Sequence, residues 1–67
     1  MSGTYKKIEL VGTSPVSFAE AVKSAIEEAS KSVRGMAWFE VVEQRGAIRD
    51  GAVAEFQVTL RVGFKIE

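Results

Sequence analysis

The sequence predicts an α+β fold of the order β-α-β-β, in which a three-stranded antiparallel sheet wraps around one helix. Three observations predict it: a helical stripe of apolar residues, an alternating apolar strand at the carboxyl end, and an Asp-Gly pair between the last two strand patterns. Because the chain has only 67 residues, we predict a single domain over residues 1–67.

The first predicted strand covers residues 5–11, Tyr-Lys-Lys-Ile-Glu-Leu-Val, in which Ile8 and Leu10 share one face. The following Gly-Thr-Ser-Pro run ends the strand pattern. Pro15 has no amide hydrogen to donate, and it biases Ser14 away from helical backbone angles. We therefore expect a turn between this strand and the helix.

The helix is predicted to begin with a capping box. Ser17 accepts from the amide of Glu20, and the Glu20 carboxylate reaches back to the amide of Ser17. Glu27 and Lys31 have the favourable i, i+4 order of an ion pair, and Gly35 is placed to serve as a left-handed C-cap. The apolar stripe consists of Phe18, Ala21, Val22, Ala25, Ile26, Ala29 and Val33.

Residues 36–48 and 52–66 are predicted to form a hairpin with a two-residue turn at Asp50-Gly51. One face of the last strand is apolar and the other polar, so we expect the helix to cover the apolar face. The first strand is expected beside the third. The turn predicts apolar cross-strand pairs of Val41 with Leu60, Phe39 with Val62 and Ala37 with Phe64.

The same register predicts the composition of the other face of the sheet. Trp38, the only tryptophan, is placed opposite Gly63, with Met36 and Val42 on the same face. An uncovered indole in an apolar patch marks a binding surface: a flat aromatic ligand stacks on Trp38, or Trp38 fills a subunit interface. The other predicted pairs are Glu40 with Arg61, Val42 with Thr59 and Gln44 with Gln57.

Composition indicates how so short a chain is stabilised. Chains of this length usually need a disulfide, a metal or partner subunits, and this one has no cysteine and no histidine. Self-association remains, and 46% apolar residues favour it. Nine basic residues balance nine acidic ones, which argues against nucleic acid or an anionic membrane as the main partner. With no signal peptide and no membrane span, we expect a cytoplasmic protein.

The sequence argues against an enzyme. It has no glycine-rich phosphate loop. Ser14 and Ser17 have no base beside them and serve a turn and a helix cap. Strand parity places Glu40 and Glu43 on opposite faces, where they are no acid–base pair.

Several runs, in their order and spacing, resemble the dodecin family. They are Lys7–Ser14 (Lys-Ile-Glu-Leu-Val-Gly-Thr-Ser), the Ser17-capped helix with its alanine-rich face, the Trp-Phe-Glu-Val-Val-Glu run from Trp38, Phe-Gln-Val from Phe56, and Phe-Lys-Ile-Glu at the end. The resemblance covers nearly the whole chain. It implies a hollow shell of twelve identical β-α-β-β subunits.

The resemblance also implies a flavin cofactor: riboflavin, FMN or lumichrome. Stacked flavin pairs lie between two symmetry-related Trp38 side chains, which quench their photochemistry, and Gln57 binds the flavin edge. About 20 Å of strand separates Gln57 from the level of Trp38, so we expect the two contacts to come from different chains. Arg45, which resembles a basic residue of bacterial members, or Lys65 meets an FMN phosphate; alternatively both are ordinary surface charges. Some bacterial members also bind coenzyme A. The alternative function is a structural shell in which Trp38 is an interface anchor.

Overall fold

A computed structural model describes residues 3–66 of the chain. It contains four elements: β1 (Tyr5–Ser14), α1 (Phe18–Ala29), β2 (Met36–Arg49) and β3 (Ala52–Lys65). The three strands form one antiparallel sheet in the order β1-β3-β2. This confirms the predicted class, the element order and the position of the first strand beside the third.

Strand β1 is three residues longer than predicted, because it continues through the Gly-Thr-Ser run to Ser14. Each of these residues has a partner in β3, ending with Ser14 opposite Phe56. The strand stops only at Pro15, which cannot donate to the ladder. The buried Ser14 hydroxyl then accepts from the amide of Val16 at 2.9 Å, which forms the predicted turn.

The amino terminus of α1 has half of the predicted capping box. The Ser17 hydroxyl accepts from the Glu20 amide at 3.0 Å. The Glu20 carboxylate lies 3.5 Å from Lys23 Nζ, one turn further along the helix. The first N–H groups of the helix therefore depend on the serine for their cap.

The carboxyl end of α1 differs from the prediction. The helix ends at Ala29, and the Ser30 hydroxyl donates to the carbonyl of Glu27 at 2.7 Å. Lys31 pairs with Glu28 at 3.1 Å, three residues away, and not with Glu27. Gly35 has a positive φ of 73°, but it lies beyond the helix end and turns the chain into β2.

The core forms where the alanine face of α1 meets β3. Three alanines of the helix are buried, and three β3 side chains are fully buried against them: Val58, Leu60 and Val62. Alanine allows the helix to approach the sheet closely. At Gly12 of β1, a Cβ atom would lie only 2.1 Å from the Ala21 carbonyl oxygen.

The sequence predicts that the helix covers the apolar face of the sheet, but the helix covers only part of it. It packs mainly on β1 and β3, and β2 extends beyond it as an edge strand. Phe39 and Val41 on the helix side of β2 are therefore 49% and 46% exposed. An exposed apolar surface of this kind is typical of a site that contacts another molecule.

The Asp50-Gly51 turn has φ values of 54° and 76°, as a type I′ turn requires. The register next to the turn, and the register from Val41–Leu60 to Trp38–Gly63, are as predicted. Two irregularities displace the segment between them by one residue. Glu43 there pairs with Thr59, and Arg45 pairs with Gln57.

This displacement corrects several face assignments. Glu43 lies on the same face as Glu40, because Thr59 and Arg61 alternate in phase along β3. Val42 has no partner in β3, and Gln44 lies opposite Val58. A further irregularity near the start of β2 places Met36, not Ala37, opposite Phe64 on the helix side.

Candidate functional site

The face of the sheet turned away from α1, here called the outer face, carries Trp38. The indole lies across Gly63, its partner in β3. A Cβ atom on Gly63 would lie 2.2 to 2.5 Å from three atoms of the six-membered indole ring. The glycine is thus buried by the ring, while Trp38 remains 40% exposed. An aromatic surface is held flat against the backbone of β3 and is accessible to a ligand or a partner.

Two β1 side chains flank this indole. The Tyr5 ring centroid lies 6.2 Å from that of Trp38, with the planes tilted by 41°. Lys7 Nζ lies 5.6 Å from the indole centroid, close enough for a cation–π attraction. Strand β3 separates β1 from β2, so these contacts cross the middle strand where Gly63 has no side chain.

The Lys7 ammonium also joins β1 to β2 through Glu40, whose carboxylate lies 2.6 Å from Lys7 Nζ. The hydrogen bond from Lys7, followed by its charge, lowers the pKa of the Glu40 carboxyl below its usual value. The predicted partner, Arg61, is opposite Glu40 in the register but pairs with Glu9 at 3.2 Å. The ion pair beside Trp38 is therefore Lys7–Glu40.

We predict that Glu40→Gln reduces the acid sensitivity of folding. A carboxyl with a lowered folded-state pKa contributes stability above its unfolded-state pKa of about 4.3 and loses it as the pH falls through the folded value. Urea unfolding at neutral pH and at about pH 3.5 measures this loss. The loss should be smaller in Glu40→Gln than in the unchanged chain and in the matched control Glu28→Gln. Equal losses in all three proteins would contradict it.

A second cluster lies at the opposite end of the outer face. Arg45 Nε donates to Gln57 Oε1 at 2.8 Å, and Gln57 Nε2 donates to Glu55 Oε1 at 2.9 Å. Arg45 Nη1 lies 3.8 Å from Glu43. Gln57 is six residues along β3 from Gly63, roughly 20 Å at a rise of about 3.4 Å per residue. Within one chain, this cluster is separate from Trp38.

The four predicted site residues thus lie in two places. Lys65, exposed and opposite Tyr5, lies at the Trp38 end of the outer face, and Arg45 and Gln57 lie together at the other end. The predicted site did not include Lys7, which lies beside Trp38, or Glu55, which accepts a hydrogen bond from Gln57. Only the register of β1 on β3 places Lys7 beside Gly63, whereas the two-residue spacing of Glu55 and Gln57 on one strand was a signal in the sequence.

An apolar groove of about 540 Å³ lies on the helix side of the sheet, between α1 and β2. Val22 and Ile26 of the helix face Met36 and Phe39 of the strand across it. Trp38 borders the groove as well as the outer face, because β2 is an edge strand. The groove includes Phe39, one of the two β2 side chains that the helix leaves exposed.

The two serine hydroxyls that precede the helix have structural partners. The hydroxyls of Ser14 and Ser17 accept from the backbone amides of Val16 and Glu20. Among residues 3–66, no three or more Asp, Glu, His or Cys side chains are grouped so that they could hold a metal ion. No helix in that range is both long and apolar enough to cross a membrane.

Comparison with known proteins found a matching family model and relatives that have the same family name. A family model described as Dodecin matches residues 4–67. Dodecin of Thermus thermophilus is 48% identical over 67 residues, which are 100% of this chain and 97% of the relative. Calcium dodecin of Mycobacterium tuberculosis is 34% identical over 92% of this chain and 87% of its own length. The solved dodecin of Streptomyces davaonensis has a TM-score of 0.94 at 42% identity, with 100% of this chain and 98% of that chain covered.

Proposed function

The chain belongs to the dodecin family of non-catalytic binding proteins, and we propose that it stores flavins in stacked pairs. Each pair lies between two symmetry-related Trp38 side chains, and the flavin is riboflavin, FMN or lumichrome. Stacked tryptophan quenches the excited flavin, so storage also protects the cell from flavin photochemistry. We place this function in the cytoplasm.

The observation that carries this proposal is the indole of Trp38 lying across Gly63. The isoalloxazine ring is flat and electron-poor, whereas indole is flat and electron-rich, so offset stacking between them is favourable. The sheet backbone already holds the indole in place, so a flavin need not order it on binding. Two flavins between two such rings bury nearly all of their ring surface without help from charge.

Gln57 is proposed to bind the edge of the flavin from a different chain than the Trp38 on which the flavin stacks. The distance of roughly 20 Å along β3 supports this, since it exceeds the reach of one isoalloxazine. Arg45, whose guanidinium has donors beyond the one given to Gln57, is proposed to meet an FMN phosphate. Lys65 is the second candidate for the phosphate, from the Trp38 end of the outer face.

The proposed assembly is a shell of twelve copies. It is supported by the apolar surface that one chain leaves uncovered along β2 and around the turn, where Ile48 and Val53 are 77% and 62% exposed. Burial of that surface between subunits supplies the stabilisation that a chain of 67 residues needs. Light scattering tests it directly, since the assembly has twelve times the 7.3 kDa mass of one chain.

The proposal is tested by titrating free riboflavin with the purified protein and following flavin fluorescence. We expect strong quenching that saturates near one flavin per chain, and no quenching by Trp38→Ala of the same assembly size. Quenching that persists in Trp38→Ala would reject the stacking site. If the unchanged protein does not quench, the second candidate function follows: a structural shell in which Trp38, at the border of the apolar groove, is an interface anchor.

Arg45→Gln is expected to lower the affinity for FMN about tenfold more than the affinity for riboflavin. A hydrogen bond to a charged group contributes about 1.5–3 kcal/mol, and only FMN has the phosphate. Titrations with FMN and with riboflavin give the ratio of the two affinities. Repeating them at low and high salt tests whether the preference for FMN is electrostatic, because salt screens exposed charges. Lys65→Gln is the matched comparison, and an unchanged ratio in Arg45→Gln would remove Arg45 from the phosphate site.

A further inference from the structure

We infer that Glu55 is a positioning residue which, together with Arg45, holds the Gln57 side-chain amide in one orientation and so sets which ligand edge the site accepts. Glu55 and Gln57 lie on the same face of β3, two residues apart. Their contact of 2.9 Å and the Arg45 contact of 2.8 Å lie on the two sides of the amide. This inference rests on the proposed function.

The orientation follows from the chemistry of the two neighbours. A guanidinium can only donate hydrogen bonds, so Arg45 requires the amide oxygen on its side. A carboxylate can only accept them, so Glu55 requires the amide nitrogen. If the amide were turned by 180°, it would face donor against donor and acceptor against acceptor. Because both bonds include a charged group, they are stronger than bonds between neutral groups.

The held amide leaves a defined pattern for a ligand. A glutamine side chain has two N–H donors and two acceptor lone pairs on its oxygen. Arg45 takes one lone pair and Glu55 takes one N–H, so one acceptor and one donor remain in fixed positions. Their complement is a ligand edge with an N–H donor beside a carbonyl acceptor, which is the imide edge of the flavin pyrimidine ring.

The test compares the affinities of the protein for riboflavin and for N3-methylriboflavin, both measured by quenching of flavin fluorescence. In N3-methylriboflavin a methyl group replaces the hydrogen of that imide. The unchanged protein should bind riboflavin about tenfold more tightly, which corresponds to one hydrogen bond. In Glu55→Ala the preference should fall to about twofold, because riboflavin binding weakens while N3-methylriboflavin binding changes little. Glu55→Gln should retain most of the preference, since its amide oxygen still accepts. Glu9→Ala removes a carboxylate elsewhere on the outer face and should retain all of it.

Three results would overturn the inference. If Glu55→Ala weakens both ligands equally, Glu55 shapes the site without orienting the amide. If the unchanged protein quenches both flavins with equal affinity, the site does not read the imide edge, although the proposed flavin storage stands. If neither flavin is quenched by the unchanged protein, the proposed function and the inference fall together.

Discussion

Gly63→Val is expected to abolish flavin binding as completely as Trp38→Ala, although it leaves the tryptophan in the chain. The first added atom, Cβ, would lie 2.2 Å from an atom of the indole ring, so the ring must leave the surface of β3. A valine also closes the gap through which Lys7 reaches Trp38. Displacement of a packed ring costs about 3 kcal/mol, which corresponds to at least about a hundredfold in affinity.

The measurement is the riboflavin titration, with the near-ultraviolet circular dichroism of the single tryptophan as a second signal. Gly63 lies on the outer face, away from the core, so the variant should keep its assembly size. Gly63→Ala combined with Trp38→Phe is the rescue variant. The three atoms that clash belong to the six-membered ring of the indole, and the shorter phenylalanine side chain places no atoms at those positions. The double variant should therefore unfold at a higher denaturant concentration than Gly63→Ala alone.

Normal riboflavin quenching by Gly63→Val would refute the proposed position of the indole. The ring would then bind its ligand without resting on β3. Retained binding combined with a changed circular dichroism signal would have the same meaning, since the tryptophan would have moved without loss of function.

Gly12→Ala is expected to have the largest effect on stability, a loss of about 3 kcal/mol or more. The new Cβ would lie 2.1 Å from the Ala21 carbonyl oxygen and 2.8 Å from Ala25 Cβ. Backbone atoms of a helix cannot move aside as a side chain can, so α1 must shift away from β1 and separate the core. For a chain with a core of three helix alanines and three β3 side chains, this loss is a large part of the total.

Urea unfolding of the purified assemblies measures the loss at one fixed chain concentration, because self-association contributes to the apparent stability. Gly3→Ala is the matched control: its new Cβ would meet only the Lys65 side chain, at 3.3 Å. If Gly12→Ala does not fold, its recovery in inclusion bodies beside soluble Gly3→Ala still supports the prediction. An unchanged midpoint for Gly12→Ala would show that the helix does not approach β1 so closely.

The local elements could be predicted from the sequence because each depends on interactions within a few residues. The Ser17 cap, the apolar stripe of the helix and the Asp50-Gly51 turn need no knowledge of the tertiary structure. The turn also gave the pairing of Trp38 with Gly63. That register also identified Trp38 as a candidate binding surface. The flavin and the roles of Gln57, Arg45 and Lys65 came from a family resemblance, and the contacts of all four residues with a ligand remain predictions.

The rest depends on packing between elements that are distant in sequence. The predicted register was counted outward from the turn on the assumption that the strand pairing is unbroken. A β-bulge between Val41 and Arg45 cannot be recognised in the sequence, because apolar and polar residues do not alternate regularly there. The extension of β1 to Ser14 depended on partners in β3 that are 42 to 46 residues away in the sequence. Likewise, only the position of α1 over β1 and β3 decided that β2 would be left uncovered.

The sequence by itself determined the fold class, the helix, the hairpin and the pairing of one tryptophan with one glycine. Only the tertiary structure decided that the indole lies on that glycine beside Lys7 and Tyr5, and that Gln57 is hydrogen-bonded to both Arg45 and Glu55. The physical reason is the distance along the sequence over which each kind of interaction acts. Capping, periodicity and turn preferences act between near neighbours, whereas a side chain that crosses a middle strand depends on the register of all three strands.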